Sequence, residues 1–249
     1  MTHLGNRRNQ GTRTLSSPMQ MLRMIERLAL RTETPAKVLS SDLGWSSAKT
    51  HQYLTTAVAA GWVMRTENGY ALSVRACALG NSASQRFGLS AELRASMTEA
   101  CETLGEPISY AVLNGDSPQI IERVEPTRAL HFRISLEQPM SIVTSASGSL
   151  LVAYLNRADR EDLRRRIPEL KNEDYYAYIR KQGHVVISGF WEGDEIEAVA
   201  VPVMIHGNCA GALSAITPHS RTAPEVMLNE LGRIRDSVNR SSDKEGISK

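Results

Sequence analysis

Apolar residues between positions 34 and 72 recur at helical spacing and then fall into two short strand-like runs. Thr34 and Pro35 are typical of a helix start, and Gly44 is typical of a helix end. After a short turn, Ser46 is predicted to cap a second helix. The buried stripe of that helix is predicted to consist of Thr50, Tyr53, Leu54 and Ala57.

Two strand-like runs follow, at residues 62–65 and 70–72, on either side of Asn68 and Gly69. Asn-Gly between two such runs is the strongest short-range signal of a β-hairpin. Together with a preceding apolar helix at residues 17–31, the pattern predicts a winged helix-turn-helix. In that fold the second helix of the motif enters the major groove of DNA, and the hairpin lies on the backbone beside it.

The predicted recognition helix is polar on its outer face and carries no acid there. Gln52 suits bidentate hydrogen bonding to adenine, and Lys49 suits guanine or phosphate. The predicted DNA-contacting residues are Ser46, Ser47, Lys49, His51, Gln52, Thr56 and Arg65. The alternative is that these side chains are only the hydrated face of a helix.

Beyond the wing, helical and strand-like patterns alternate. Helices are predicted at residues 90–104 and 149–155, from Asp159, at 173–183 and at 225–239, and strands at 108–113, 120–124, 130–135, 184–187, 198–206 and 209–216. Gly207-Asn208 is the predicted turn of the last hairpin. The fold class is therefore α+β, with a mixed, mostly antiparallel sheet. The predicted organisation is a disordered arm (1–16), a DNA-binding domain (17–75), a linker helix (76–89), an α+β domain (90–240) and a disordered tail (241–249).

Charge is divided unevenly along the chain. Residues 1–65 contain nine Lys or Arg and three acids, a balance of +6, whereas the whole chain carries +2, so residues 66–249 carry −4. A basic first part on an acidic remainder is expected of a DNA-binding domain joined to another domain. Arg7, Arg8 and Arg13 suit a minor-groove arm, with a solvated tail as the more frequent outcome.

The remaining composition narrows the class of protein. Three cysteines without CxxC spacing indicate reduced thiols, and no secretory signal or apolar span is visible, so a cytoplasmic protein without membrane contact is expected. There is no GxSxG, Walker, GxGxxG or HExxH motif. His206 and Cys209 alone are too few ligands for zinc. We therefore predict no enzyme activity, no cofactor and no metal.

The order of segments resembles the IclR family of bacterial transcriptional regulators over residues 17–240. The resemblance is carried by the winged motif with Gly61-Trp62-Val63 and by five later segments, which are residues 144–151, 153–155, 179–183, 199–203 and 211–214. It implies a GAF-like effector-binding domain, a homodimer or dimer of dimers on a palindromic operator, and control of catabolic genes. The chain departs from the family pattern at Ala48-Lys49 and Gln52 and at Gly148-Ser149.

The serine-rich turn before the predicted helix at 149–155 suits an acid, because helix N-termini bind carboxylates readily. Tyr110, Arg123, His131 and Arg133 are further candidates to face the same pocket. The resemblance brings four later residues to the pocket, so the predicted effector site consists of Ser145, Ala146, Ser147, Gly148, Ser188, Ala198, Ser214 and Ile216. A small organic acid, plausibly aromatic, is the implied ligand. The simpler alternative is that the serines only cap a helix.

The leading hypothesis is a ligand-responsive transcription factor. A catalytic or ligand-binding domain fused to a docking module is the alternative, and it predicts turnover of the bound compound. An architectural DNA binder is a third hypothesis, which leaves the acidic α+β domain unexplained. The operator, the effector, activation versus repression, and dimer versus tetramer stay open.

Overall fold

The computed structural model describes residues 14–127, 140–191 and 193–246, and its contacts divide the chain into two units, Met1–Ala83 and Ser84–Lys249. The first unit contains three helices and a two-stranded antiparallel hairpin. They are α1 (Ser16–Ala29), α2 (Ala36–Leu43), α3 (Ser47–Ala59), β1 (Val63–Arg65) and β2 (Tyr70–Leu72). Their shared core contains Met24, Leu28, Leu39, Leu54, Ala57 and Val63. The helices and the hairpin predicted for residues 17–72 are therefore present.

The start of α2 differs from the prediction. Thr34 does not cap the helix, and Pro35 occupies the N-cap position without a side-chain hydrogen bond. Thr34 is instead fully buried and forms a β-bridge with Tyr70, with N–O distances of 2.8 and 3.0 Å. An added Cβ at Gly69 would lie 2.4 Å from the Thr34 carbonyl oxygen, so only glycine permits this approach. Tertiary pairing therefore outweighs the local capping preference of Thr34.

Helix α4 (Val74–Arg86) crosses the division between the two units, and α5 (Ala91–Leu104) follows, capped by Ser90 as predicted. The second unit has a five-stranded sheet with the order β4-β3-β7-β6-β5. Its strands are β3 (Ile108–Asn114), β4 (Ser117–Val124), β5 (Val185–Trp191), β6 (Asp194–Ile205) and β7 (Asn208–Pro218). All four strand pairs that the described residues form in this sheet are antiparallel, whereas we expected a mixed sheet. The strand predicted at 130–135 and the arm at 1–13 lie outside the described residues.

Four further helices complete this unit, namely α6 (Ala146–Ala153), α7 (Arg157–Arg166), α8 (Glu173–Gln182) and α9 (Pro224–Gly246). One face of the sheet packs with α5 and α9, and the other packs with α6 and with residues of α7 and α8. Because side chains alternate along a strand, neighbouring residues of β6 and β7 belong to opposite cores.

Three local predictions for this unit were wrong by a few residues. Asp159 is not the cap of α7, because Asn156 accepts the hydrogen bond from the Asp159 N–H at 2.9 Å. The β6–β7 turn consists of His206 and Gly207, since both have the positive φ that a two-residue hairpin turn favours. The tail was expected to be disordered from residue 241, but α9 continues to Gly246. Positions 240–245 hold no proline or glycine to end the helix.

Candidate functional site

The outer face of α3 is exposed, as a DNA-reading helix requires. Ser46, Ser47, His51, Gln52 and Thr56 are all solvent-exposed, while Thr50, Leu54 and Ala57 on the inner face are buried. The Ser46 hydroxyl accepts from the Lys49 N–H at 3.3 Å, which fixes the start of the helix. The structure therefore places the predicted DNA-contacting residues of α3 on one hydrated surface.

Two cations of the first unit are held by aromatic rings. The ammonium of Lys49 lies 4.4 Å from the centroid of the Trp45 ring, and the Arg65 guanidinium lies 5.9 Å from the Tyr70 ring. Such contacts orient a flexible cation without neutralising its charge. Lys49 and Arg65 therefore present positive charge at the start of α3 and on the hairpin.

The hairpin itself is less basic than Arg65 alone suggests. Its tip carries Glu67, and the Asn68 amide donates to the Glu33 carboxylate at 2.9 Å. The nearby Thr66 hydroxyl and the hydrogen bond from Asn68 lower the pKa of Glu33 below its usual value, so this carboxylate is charged at neutral pH. Arg65 is the one Lys or Arg among hairpin residues 63–72, and the acidic Glu67 lies two positions after it.

In the second unit, a cavity of about 710 Å³ opens between the sheet, the start of α6 and the start of α8. Its walls are mostly apolar, and they include Ile120, Val143, Tyr175, Ile187, Phe190 and Ile216. Seven of the eight predicted effector residues line it, namely Ser145, Ala146, Ser147, Ser188, Ala198, Ser214 and Ile216. A cavity of this size and character suits a small, largely apolar ligand with a few polar contacts.

Gly148 is the predicted residue that does not line the cavity. An added Cβ there would lie 2.7 Å from Ile142 Cα and from the Ser141 carbonyl oxygen. Gly148 thus lets the first turn of α6 pack directly on the backbone of residues 141–142. Its role is to position the end of the helix that faces the cavity.

Helix α6 begins earlier than predicted, at Ala146 instead of Ser149, because Ser145 is its cap. The Ser145 hydroxyl accepts from the Gly148 N–H at 3.0 Å and donates to the Ser141 carbonyl at 2.5 Å. Both hydrogen-bonding roles of Ser145 are therefore used within the loop. The simpler alternative, a serine that only caps a helix, describes this hydroxyl best.

Ser147 differs from Ser145. It is 2% exposed, it lines the cavity, and no hydrogen bond of its hydroxyl is formed with a described residue. The first backbone N–H groups of a helix also lack partners within the helix. Together they give the cavity unsatisfied donors at the positive end of α6.

Ser188 lines the cavity, but its side chain is engaged elsewhere. Its hydroxyl lies 3.0 and 2.9 Å from the two oxygens of the Glu197 carboxylate, which also contacts His219 Nδ1 at 3.1 Å. Because side chains along β5 point alternately to opposite faces of the sheet, the Ser188 side chain lies on the face opposite to that of Ile187. The Ser188 hydroxyl is thus committed as a donor to Glu197.

Several cavity residues were missed by sequence reasoning, above all Ser109, Lys171 and Tyr175. Lys171 and Tyr175 flank the start of α8, where Asn172 caps the helix through the Tyr175 N–H at 3.0 Å. The Arg160 and Arg180 guanidiniums hold Glu173 and lower the pKa of its carboxyl. The Asn172 capping signal could have located this end of α8, but it carries no information about the cavity.

Of the further candidates for the pocket, Tyr110 lies on the opposite face of the sheet. Its hydroxyl donates to the Phe87 carbonyl at 2.7 Å, and burial raises its pKa well above the usual value. Arg123 does not line the cavity but contacts Ser109, which does. His131 and Arg133 lie outside the described residues.

A metal site was not predicted. Within residues 14–127, 140–191 and 193–246, no three His, Cys, Asp or Glu side chains come together in a way that could hold a metal ion. His206 and Cys209 belong to the β6–β7 turn and the strand that follows it. No helix of the described residues is both long and apolar enough to cross a bilayer.

The sequence of residues 81–175 matches the family described as bacterial transcriptional regulator IclR C-terminal. The match covers 95 of the 249 residues, and it shows that this part of the chain is similar to the C-terminal region of IclR-family regulators. Members of this family are transcriptional regulators, not enzymes, and they bind DNA and small-molecule effectors. The match supports the resemblance drawn from the segment order, and nearly all of the matched residues lie in the second unit.

Solved structures with the same fold cover nearly the whole chain. HmgR of Pseudomonas aeruginosa is 22% identical, with a TM-score of 0.69, and the alignment covers 90% of this chain and 99% of HmgR. An IclR homolog from Microbacterium hydrocarbonoxydans, solved in complex with 4-hydroxybenzoate, is 20% identical with a TM-score of 0.68 and the same coverage, 90% and 99%. The Thermotoga maritima IclR is 14% identical with a TM-score of 0.64, covering 93% and 99%. No curated protein sequence matches the chain.

Proposed function

We propose that this protein is a ligand-responsive DNA-binding regulator of the IclR family whose effector is a small aromatic carboxylic acid. The first unit acts as a winged helix-turn-helix in which α3 reads the major groove. The second unit acts as a GAF-like sensor. As a dimer or dimer of dimers, the protein binds a palindromic operator and controls catabolic genes.

The cavity at the start of α6 carries this proposal. Its apolar walls suit an aromatic ring, and its polar groups are donors and one cation, Lys171. None of the lining residues in the described part of the chain is acidic. A structural neighbour that binds 4-hydroxybenzoate supports an aromatic acid of similar size. A ligand of this kind regulates DNA binding only if it binds one arrangement of the protein better than the other.

The first experiment measures binding of the full chain to labelled DNA from upstream of its own gene and neighbouring genes. A salt series is run with and without benzoate and 4-hydroxybenzoate. Sequence-selective, salt-dependent binding that one acid alters supports the proposal. Chemical conversion of the acid, or the absence of selective DNA binding, would favour the fused-module alternative.

Variants of α3 test the DNA-reading surface. Gln52→Ala should weaken binding by about 1–3 kcal/mol and relax selectivity at one base position. Lys49→Ala should weaken binding to all sequences and lower the salt slope by about 1. The matched controls are Gln182→Ala and Lys181→Ala, which make the same chemical changes at exposed positions of the second unit.

A further inference from the structure

We infer that Ser109 is the carboxylate anchor of the effector cavity and that Arg123, which does not line the cavity, fixes Ser109 in this role. The inference rests on the proposed function, because it specifies how the aromatic acid is held. Neither residue belongs to the site predicted from the serine-rich turn.

The first observation is the position of Ser109. It lies on β3, lines the cavity and is 5% exposed. Its neighbours Ile108 and Tyr110 belong to the core under α5 and α9, whereas Ala111 belongs to the core under α6. Alternation therefore directs the Ser109 side chain to the α6 side of the sheet, where the cavity lies.

The second observation is the partner of its hydroxyl. Arg123 lies opposite Ser109 on β4, and its Nη1 donates to Ser109 Oγ at 3.1 Å. A guanidinium can only donate, so Ser109 Oγ must be the acceptor in this contact. The single proton of the hydroxyl is left to donate elsewhere, and no described residue accepts it. Arg123 thus makes Ser109 a donor toward the cavity.

The third observation is burial. The Arg123 side chain is 4% exposed, and its Nε is paired with Glu125, which is 40% exposed. The guanidinium is therefore immobilised between the carboxylate and the serine. A hydrogen bond to a charged ligand is stronger in such a poorly solvated place than at the surface.

Other lining groups are weaker candidates for the anchor. Lys171 is exposed, and exposed ion pairs contribute little because water screens them. Ser145 and Ser188 already donate to protein oxygens. Ser214 Oγ donates to the Ser109 carbonyl only at 3.5 Å. Ser147 at the start of α6 remains as a second donor for the same carboxylate.

The test compares benzoate with its neutral analogue benzamide by isothermal titration of the full chain. Ser109→Ala should weaken benzoate binding by about 10- to 100-fold, since hydrogen bonds to charged groups are the strongest class. The affinity for benzamide should fall less, so that the ratio of benzoate affinity to benzamide affinity falls about tenfold. Ser214→Ala, which removes a lining hydroxyl without an arginine partner, should change the ratio by less than about threefold.

Arg123 is tested as a positioning residue. Arg123→Gln should lower the benzoate-to-benzamide ratio about three- to tenfold while benzamide still binds, and Arg123→Lys should restore most of the ratio. Ser109→Cys replaces the hydroxyl with a thiol, which is only a weak donor, and serves as a second variant if Ser109→Ala folds poorly, as judged by its thermal unfolding midpoint. A merely structural arginine would lower both affinities equally, and that result would overturn its assigned role.

The outcomes separate the two proposals. If the wild-type protein binds no aromatic carboxylate, the proposed ligand class and its anchor both fail. If the wild-type protein binds benzoate and Ser109→Ala leaves the benzoate-to-benzamide ratio unchanged, only the anchor is overturned.

Discussion

The two faces of the five-stranded sheet use the same strands in opposite ways. The face under α5 and α9 is filled by large apolar side chains, including Met97, Tyr110, Val201, Leu213 and Leu231. On the α6 side, the central strands β3, β6 and β7 contribute mostly small residues, namely Ser109, Ala111, Ala198, Ala200, Ala212 and Ser214. Leu113, Ile196 and Ile216 are the larger side chains of these strands on the same face. One face is consequently a solid core, and the other encloses a cavity of about 710 Å³.

The sequence of strand β6 shows how the difference between the two faces of the sheet arises. Ala198 and Ala200 alternate with Val199 and Val201, so that the smaller side chain always faces α6. Since side chains along a strand point alternately to opposite faces, a simple small–large repeat produces a filled side and a hollow side. The small residues bury less apolar surface on the α6 side and therefore contribute less to stability there. The larger apolar side chains that pack under α5 and α9 contribute more. Stability and ligand binding should therefore respond to mutation on different faces.

The largest expected effect is a loss of stability when an apolar side chain of the solid face, under α5 and α9, is shortened. Leu213→Ala should lower the free energy of unfolding by about 2–5 kcal/mol, because it leaves a cavity in a fully buried core. Its neighbour on the hollow face provides the control, since Ser214→Ala should cost less than about 1 kcal/mol. Urea unfolding followed by far-ultraviolet circular dichroism measures both. Equal losses would contradict the division into two faces.

Enlarging a residue on the hollow face should affect the ligand more than the fold. Ala198→Leu should weaken benzoate binding by about 10- to 200-fold, because the added carbons occupy ligand space. The same change at the fully buried Ala100 in α5 should cost about 1–3 kcal/mol of stability by overpacking and leave affinity unchanged. Titration calorimetry and urea unfolding distinguish the two. Unchanged affinity in Ala198→Leu would mean that the ligand binds elsewhere.

Two glycines near the cavity should respond differently to alanine. Gly148→Ala should destabilise the protein by about 1 kcal/mol, since a clash of about 1–3 kcal/mol with immovable backbone outweighs a smaller gain in helix propensity. At Gly189, which lines the cavity, an added Cβ meets nothing within 4 Å, so alanine should change stability by less than about 0.5 kcal/mol. Thermal unfolding midpoints compare the pair, and an equally tolerated Gly148→Ala would show that α6 can shift.

The smallest expected effect concerns thiol reactivity. Burial and the nearby Glu125 charge raise the pKa of Cys101 to about 11, so very little thiolate exists at pH 8. Cys77 is exposed on α4 and should react with a disulfide reagent at that pH. We expect rapid labelling of Cys77 and protection of Cys101 until the solid core unfolds. Rapid labelling of Cys101 in the native protein would indicate that this core opens readily.

Local structure was predictable from the sequence wherever residues close in the chain determine it. The caps Ser46 and Ser90 and the hairpin around Asn68-Gly69 depend on hydrogen bonds and φ angles within a few residues. The alternation in β6 likewise depends only on strand geometry. The errors at Asn156 and His206 were also local, whereas the predicted cap at Thr34 was wrong because Thr34 pairs with the distant Tyr70.

The functional cavity was predictable only in part. The segment 145–147 was predicted from the chemistry of a helix N-terminus, and the strand residues Ala198, Ser214 and Ile216 were predicted from the resemblance to the family. The structure brings all of them to one cavity. The resemblance could not reveal that Ser145 and Ser188 donate to protein oxygens while Ser147 does not. That distinction depends on individual hydrogen-bond partners.

By itself, the sequence determined most of the helices and strands, because these follow from periodicity and local capping. The tertiary structure decided which distant residues share the cavity. Ser109, Lys171 and Ser214 are brought together by strand register and helix packing, which no local pattern encodes. It also decided the hydrogen-bonding state of each serine, since a hydroxyl becomes a donor or an acceptor only when its partner is fixed in space.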